Sequence, residues 1–440
     1  VTHDPARLIA AAAIVLLYLA FCGLIAWRRR GRAGDAASIL VVYASQTGTA
    51  EELAHASAAA LAGAGAQAVA VELSVVTRDM LAQAAQVLFV AATTGDGDPP
   101  DAAARFVRTA MAKPLDLSNT AYAVLALGDR HYADFCAFGR RLDAWLQESG
   151  ARRLFPTIEV DAGDPAAIAD WRRQLAGLAG ASDLAAWATP QYDWWMLTER
   201  VALNPDGEGD PAFRLRLEPE GEIPDWAAGD LAEIQDDHPT EGLVRREYSI
   251  ASLPADGAVE LVVRRHIRSD GTVGLMSGLL TETAPLYAPI RLRVRANRSF
   301  HAVDHIAPMI LAGAGTGIAG LRAHVRAAAP GQRLWLVFGE RTRGRDFLLG
   351  EEIEGWKESG RLERLDLAFS RDQAGKVYVQ DRIDAAADEM RAWVEAGATI
   401  FVCGDRERMA PGVDAALQRA LGAERMQALA AAGRYRRDVY

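Results

Sequence analysis

Two glycine-bearing turns constrain this chain more than any other feature of it. Ser45-Gln46-Thr47-Gly48-Thr49-Ala50-Glu51 follows the β-branched run Ile39–Ala44, and Gly313-Ala314-Gly315-Thr316-Gly317 follows Ile310-Leu311-Ala312. Each leads into a helix-forming stretch. A strand that turns on small residues into a helix presents backbone N–H groups at the helix N-terminus, where the peptide dipoles favour an anion such as a phosphate. Between the two turns stands Arg246-Glu247-Tyr248-Ser249-Ile250-Ala251-Ser252. There a guanidinium fork suits phosphate oxygens, and strand alternation puts the Tyr248 ring on the same face as Arg246.

The chain's 440 residues suffice for two or three cores. Three cysteines (Cys22, Cys136, Cys403) make neither a disulfide framework nor a four-cysteine zinc site, which fits a reducing compartment. Leu8–Trp27 carries no charge and is followed by Arg28-Arg29-Arg30-Gly31-Arg32. As a helix it matches a bilayer's hydrocarbon thickness, and the trailing arginines place the rest of the chain in the cytoplasm, at the inner membrane of a bacterium. The formal net charge is −10, and setting aside the arginine-rich N-terminal segment leaves the remainder more acidic still. That argues against nucleic acid as a partner.

From Ile39 onward, β-branched runs alternate with Ala-rich amphipathic stretches. Ile39–Ala44, Gln67–Leu73, Gln86–Ala92, Ala121–Leu127 and Leu154–Val160 read as strands. Ala50–Ala64, Asp101–Ala112, Phe138–Ser149 and Pro165–Gly180 read as helices. This is a doubly wound parallel sheet, whose ligands bind at the carboxyl ends of its strands. Three loops fall there: 45–51, 93–100 (Thr-Thr-Gly-Asp-Gly-Asp-Pro-Pro) and 127–136 (Leu-Gly-Asp-Arg-His-Tyr-Ala-Asp-Phe-Cys). The first lacks the lysine of an NTPase P-loop, so hydroxyls and N–H groups hold any phosphate without a cation. Thr49 and Glu52 also match a helix capping box.

Residues 181–192 read as a linker. Phe213–Leu217, Arg246–Ala251, Val259–His266 and Pro289–Arg295 then alternate as strands of an antiparallel barrel. Gly274-Leu275-Met276-Ser277 supplies a second contact for a diphosphate. Beyond the 313–317 turn, Trp335–Gly339, Leu365–Ser370 and Thr399–Gly404 read as strands. Ser370 and Arg371 with Lys376 and Tyr378 gather two cations and two hydroxyls, which suits a nucleotide's 2′-phosphate.

Taken together, these motifs resemble the diflavin reductases, and within them the sulfite reductase flavoprotein subunits, over residues 39–440. The resemblance implies an α/β fold: a flavodoxin-like domain at 38–180, then a ferredoxin–NADP reductase-like module with an FAD-binding barrel at 193–302 and an NADPH-binding domain at 303–440. It implies that Ser45, Gln46, Thr47, Gly48 and Thr49 bind the FMN phosphate. Thr93, Thr94, Gly95, Gly97, Leu127, Gly128, Asp129, Tyr132, Phe135 and Cys136 would surround the FMN ring. Arg246, Tyr248, Ser249, Gly274 and Ser277 would hold FAD; Gly313, Gly315, Thr316 and Gly317 the NADPH diphosphate; and Arg341, Ser370, Arg371, Lys376 and Tyr378 its adenosine phosphate. Ser249, Cys403, Asp405 and Asp438 would surround the nicotinamide, and Tyr440 would cover the FAD ring. The family's proline after Gly-Thr-Gly-Ile-Ala is Gly320 here, which implies a less rigid helix start, and Thr94 stands where cytochrome P450 reductases carry an aromatic. Too few residues separate 192 from Arg246 for the helical connecting domain of those reductases. The implied activity is NADPH-driven electron delivery through FAD and FMN to a one-electron acceptor. That acceptor is a sulfite reductase haemoprotein, another haem protein or a ferric siderophore. From a different class, a flavodoxin-fold docking protein without flavins would lack intact glycines and hydroxyls in these loops.

Overall fold

The computed structural model describes residues 39–440 apart from 95–96, 131–133, 185–186, 188–189, 240–241 and 269. The membrane span expected at 8–27 lies outside the described residues, as do Gly95 and Tyr132. Among the described residues, no helix is long and apolar enough to cross a membrane.

Three sheets follow one another along the chain. The first contains β1 (Ile39–Ala44), β2 (Ala68–Glu72), β3 (Gln86–Ala92), β4 (Ala121–Gly128), β5 (Arg152–Arg153) and β6 (Ile158–Asp161). Its order is β2-β1-β3-β4-β5, with β6 also on β4, and every pairing is parallel. Helices cover both faces, so the strands are apolar on both sides: Leu40, Val42 and Phe89 enter one core while Ile39, Val41, Leu88 and Val90 enter the other. Of the strand expected at Leu154–Val160 only the end forms, as β6 from Ile158; β5 precedes the expected span, and Pro156, without an N–H for the ladder, lies between the two.

The second sheet holds β7 (Asp193–Ala202), β8 (Ala212–Pro219), β9 (Leu231–His238), β10 (Gly242–Ser249), β11 (Val259–Arg264) and β12 (Pro289–Arg295), antiparallel in the order β10-β9-β12-β7-β8-β11. Its end strands β10 and β11 approach each other, as a barrel requires. β7 and β9 were not legible as strands. The second half of β9, Gln-Asp-Asp-His, carries no apolar residue, and in its first half even Glu233 is buried.

The third sheet is wholly parallel: β13 (Met309–Ala314), β14 (Leu334–Glu340), β15 (Arg364–Phe369), β16 (Thr399–Gly404) and β17 (Tyr435–Val439) in the order β15-β14-β13-β16-β17. The polar run Tyr435–Val439 is thus an edge strand. It sets Asp438 beside Cys403 in register and leaves Tyr440 just beyond the sheet.

Candidate functional site

The loop after β1 is the first element of the site. Ser45 Oγ accepts the N–H groups of Gly48 (2.9 Å) and Ala50 (3.2 Å), so these donors converge on one point at the start of helix Thr49–Gly63. Gly48 has φ of 92°, and a Cβ there would sit 3.1 Å from the Ala296 carbonyl. An oxyanion at Ser45 would meet these same N–H groups, so the loop fits a flavin phosphate. The capping box expected from Thr49 and Glu52 is not formed: Gly48 occupies the cap, and neither side chain is turned back on the helix. Both are instead engaged by Arg295 at the end of β12. Its guanidinium donates to Thr47 O (2.8 Å) and Thr49 Oγ1 (3.2 Å), and pairs with Glu52 (3.1 Å), Glu233 (3.1 Å) and Glu247. A cation therefore does stand behind the loop, supplied by the barrel. Sequence reasoning missed it because Arg295 is 248 residues from Thr47 along the chain, and only the fold brings β12 against the loop.

The other two loops meet each other. Thr94 and Asp98 exchange backbone hydrogen bonds (2.8 and 2.9 Å), and Thr94 Oγ1 donates to Asp98 O (3.0 Å). A Cβ on Gly97 (φ 96°) would lie 2.9 Å from the Asp134 Cβ, so only glycine lets the loops touch. Thr93 Oγ1 accepts the Phe138 N–H, while Gly128 and Asp129 continue from β4. Leu127, Phe135 and Cys136 are buried in the cores. The Cys136 thiol donates to Ala126 O (3.3 Å), and burial pushes its pKa up to about 12. These three side chains support the loop from inside.

In the barrel, Tyr248 lies against the core and Arg246 is exposed on the same strand. Ser277 Oγ accepts the His266 N–H (3.1 Å) and donates to Gly274 O (3.2 Å), locking the 274–277 turn. In the third sheet the glycines answer to close backbone approach. A Cβ on Gly317 would be 2.1 Å, and one on Gly313 2.6 Å, from the Cys403 carbonyl oxygen. Gly315 has φ of 60° and faces Arg264 and Glu340, a pair 3.3 Å apart that the sequence did not single out. Burial raises the Glu340 pKa to about 7, against the pull of Arg264. This cradle of N–H groups and small residues fits a dinucleotide diphosphate.

Ser249, Cys403 and Asp438 come together where the barrel meets the third sheet. Ser249 Oγ is 2.7 Å and Cys403 Sγ 3.8 Å from Asp438 Oδ2. All three are buried, and burial raises the pKa of both the carboxyl and the thiol. Gly320 belongs to this cluster: a Cβ there would lie 3.3 Å from Cys403 Sγ and 3.6 Å from the Ser249 Cβ. The missing proline thus makes room, where a less rigid helix start was expected. Asp405, two residues past Cys403, accepts the Arg408 N–H (2.7 Å). Tyr440 is 55% exposed and its hydroxyl is 3.1 Å from Thr316 Oγ1, so the terminal ring spans from β17 to the glycine turn. Ser370 and Arg371 lie beside β14, their N–H groups donating to Glu340 O and Arg341 O; Lys376 and Tyr378 are exposed on the segment that follows.

The two halves are joined at their sites. Gln46 accepts the Asp101 N–H (3.0 Å) and donates to Arg437 O (3.2 Å), and Arg437 pairs with Asp101 and with Asp414 (2.6 Å). The first loop therefore reaches the residue next to Asp438.

Residues 41–172 match the flavodoxin family and residues 311–415 the oxidoreductase NAD-binding domain family. With the barrel between them, the chain is a flavoprotein oxidoreductase of the diflavin type, with sites for FMN, FAD and a nicotinamide dinucleotide. It is similar to the NADPH sulfite reductase flavoprotein alpha-component of Vibrio cholerae, at 29% identity over 93% of this chain and 89% of the relative. The corresponding component of Serratia proteamaculans is 27% identical over 93% and 91%. The first alignment runs over 549 positions, more than this chain's 440 residues, so the relative holds a long stretch without counterpart here.

Proposed function

We propose that this protein oxidises NADPH and delivers single electrons to an iron-containing acceptor, a haemoprotein of the sulfite reductase type first among them. The observation that carries this reading is the bridge from Gln46 and Asp101 to Arg437, one residue from the Ser249–Cys403–Asp438 cluster. It holds the phosphate loop of the flavodoxin half against the hydride-transfer end of the reductase half. Bound flavins would convert a two-electron hydride into single electrons; the chain positions them and shields them from water. Ser249, with the buried Asp438 behind it, orients the reacting end of the nucleotide, while Arg371 and Lys376 receive its 2′-phosphate.

Purified protein is expected to carry one FMN and one FAD and to oxidise NADPH when ferricyanide is supplied. Replacing both Arg371 and Lys376 with alanine should raise KM for NADPH by at least about tenfold, from two lost charge-assisted bonds, with KM for NADH nearly unchanged. Equal effects on both nucleotides would place the 2′-phosphate elsewhere. Addition of candidate acceptors one at a time to NADPH and isolated membranes tests the acceptor.

We also propose that residues 8–27 anchor the protein in the inner membrane with its catalytic part in the cytoplasm, on the strength of the uncharged run and the arginines after it. An alkaline phosphatase fused after Tyr440 should be inactive; an active fusion would reverse the orientation.

A further inference from the structure

Two guanidinium groups near the proposed 2′-phosphate site already share an anion from the chain itself, and a third holds the same residue's backbone. Glu208, in the turn between β7 and β8, pairs through Oε2 with Arg371 (2.8 Å) and through Oε1 with Arg345. Arg341 donates to the Glu208 backbone carbonyl at 2.5 Å. One carboxylate oxygen for each of two arginines is the arrangement that a phosphate bridging them would adopt.

The turn is built to deliver this carboxylate. Glu208 stands between Gly207 and Gly209. A Cβ on Gly207 would lie 2.4 Å from Asp346 Oδ1, and one on Gly209 3.2 Å from Arg341 Cζ. Asp346 is buried and accepts the Gly209 N–H (3.3 Å) and the Thr342 hydroxyl (2.7 Å), tying the barrel's turn to the third sheet. The Arg371 and Arg345 guanidinium groups hold the Glu208 carboxyl below the usual carboxylate range.

We propose that Glu208 is a specificity-determining residue that competes with the nucleotide's 2′-phosphate for Arg371 and Arg345. NADPH must displace the carboxylate, whereas NADH, without that phosphate, leaves it in place. Glu208 thereby narrows the advantage of NADPH over NADH. The inference rests on the NADPH reading proposed above.

The test compares Glu208→Gln with wild type and with Glu354→Gln, which removes a nearby carboxylate paired to Arg343, outside the cluster. Two measurements are made on the flavin-loaded protein: calorimetric binding of adenosine 2′,5′-bisphosphate, and KM for NADPH and NADH. Because both ion pairs are half-exposed, E208Q should tighten the bisphosphate and lower KM for NADPH by roughly three- to tenfold. KM for NADH and the E354Q protein should stay unchanged. Weaker binding in E208Q would make Glu208 a scaffold for the arginines and overturn the inference. So would no change, or an equal gain for NADH. Wild-type protein that holds both flavins yet neither binds the bisphosphate nor oxidises NADPH would refute the NADPH reading itself, and this inference with it.

Discussion

Replacing Arg295 with alanine is expected to destabilise the protein by roughly 3 kcal/mol, the lower end of the cost of breaking a buried ion pair. The side chain is 2% exposed and meets three carboxylates, Glu52, Glu233 and Glu247. Its removal leaves Glu233, itself buried, with Arg293 at 2.9 Å and the Tyr192 hydroxyl as remaining partners. Those remaining partners are why the lower end applies. The same guanidinium holds Thr47 O and Thr49 Oγ1, so FMN should be lost more readily as well. Urea unfolding gives the first quantity and FMN content after gel filtration the second. Unchanged stability with full FMN content would show that the cluster is solvated and idle. Arg295→Lys keeps one charge but not the fork, and should recover stability only in part.

Asp438→Asn should lower NADPH-dependent turnover by about 10²-fold while leaving FAD content and KM for NADPH close to wild type. In the reading proposed above, the nicotinamide would gain positive charge as hydride leaves, and carboxylate oxygens at Asp438, behind Ser249, would favour that change where an amide would not. Asparagine keeps the volume and can still bond Ser249, so packing survives. Stability should move the opposite way. Burial raises the folded-state pKa of Asp438 above its unfolded value. Its stabilising contribution is then complete below the unfolded pKa and is lost as pH rises through the folded pKa. Wild type should lose stability over that window, and Asp438→Asn should not. Turnover unchanged in the variant, with the pH effect intact, would make Asp438 a packing residue only.

Sequence reasoning succeeded where chemistry is local. The turns at Gly48 and Gly313–Gly317 require backbone conformations or close approaches that few residues other than glycine allow; the continuous apolar runs of β1, β3 and β13 and the alternation of β12 are set by the faces they bury. Hence the two α/β sheets, the barrel strand of Arg246 and the glycine turns were all legible from residue order. The edge strand β17 was not, because Tyr435-Arg-Arg-Asp shows polar residues whose partners lie far along the chain: Arg437 is neutralised by Asp101 and Asp414. β9 was hidden for the same reason, its Glu233 being buried only because Arg293 and Arg295 arrive from β12.

What residue order determined by itself was thus the set of strand–turn–helix units and the ligand chemistry each can offer. Tertiary structure alone decided that Arg295 backs the 45–49 loop, that Gln46 reaches Arg437, and that Glu208 faces Arg371. The physical reason is range. Backbone propensity and glycine sterics act within a few residues, whereas charge pairing and burial act through space between segments whose separation in sequence carries no information about their distance.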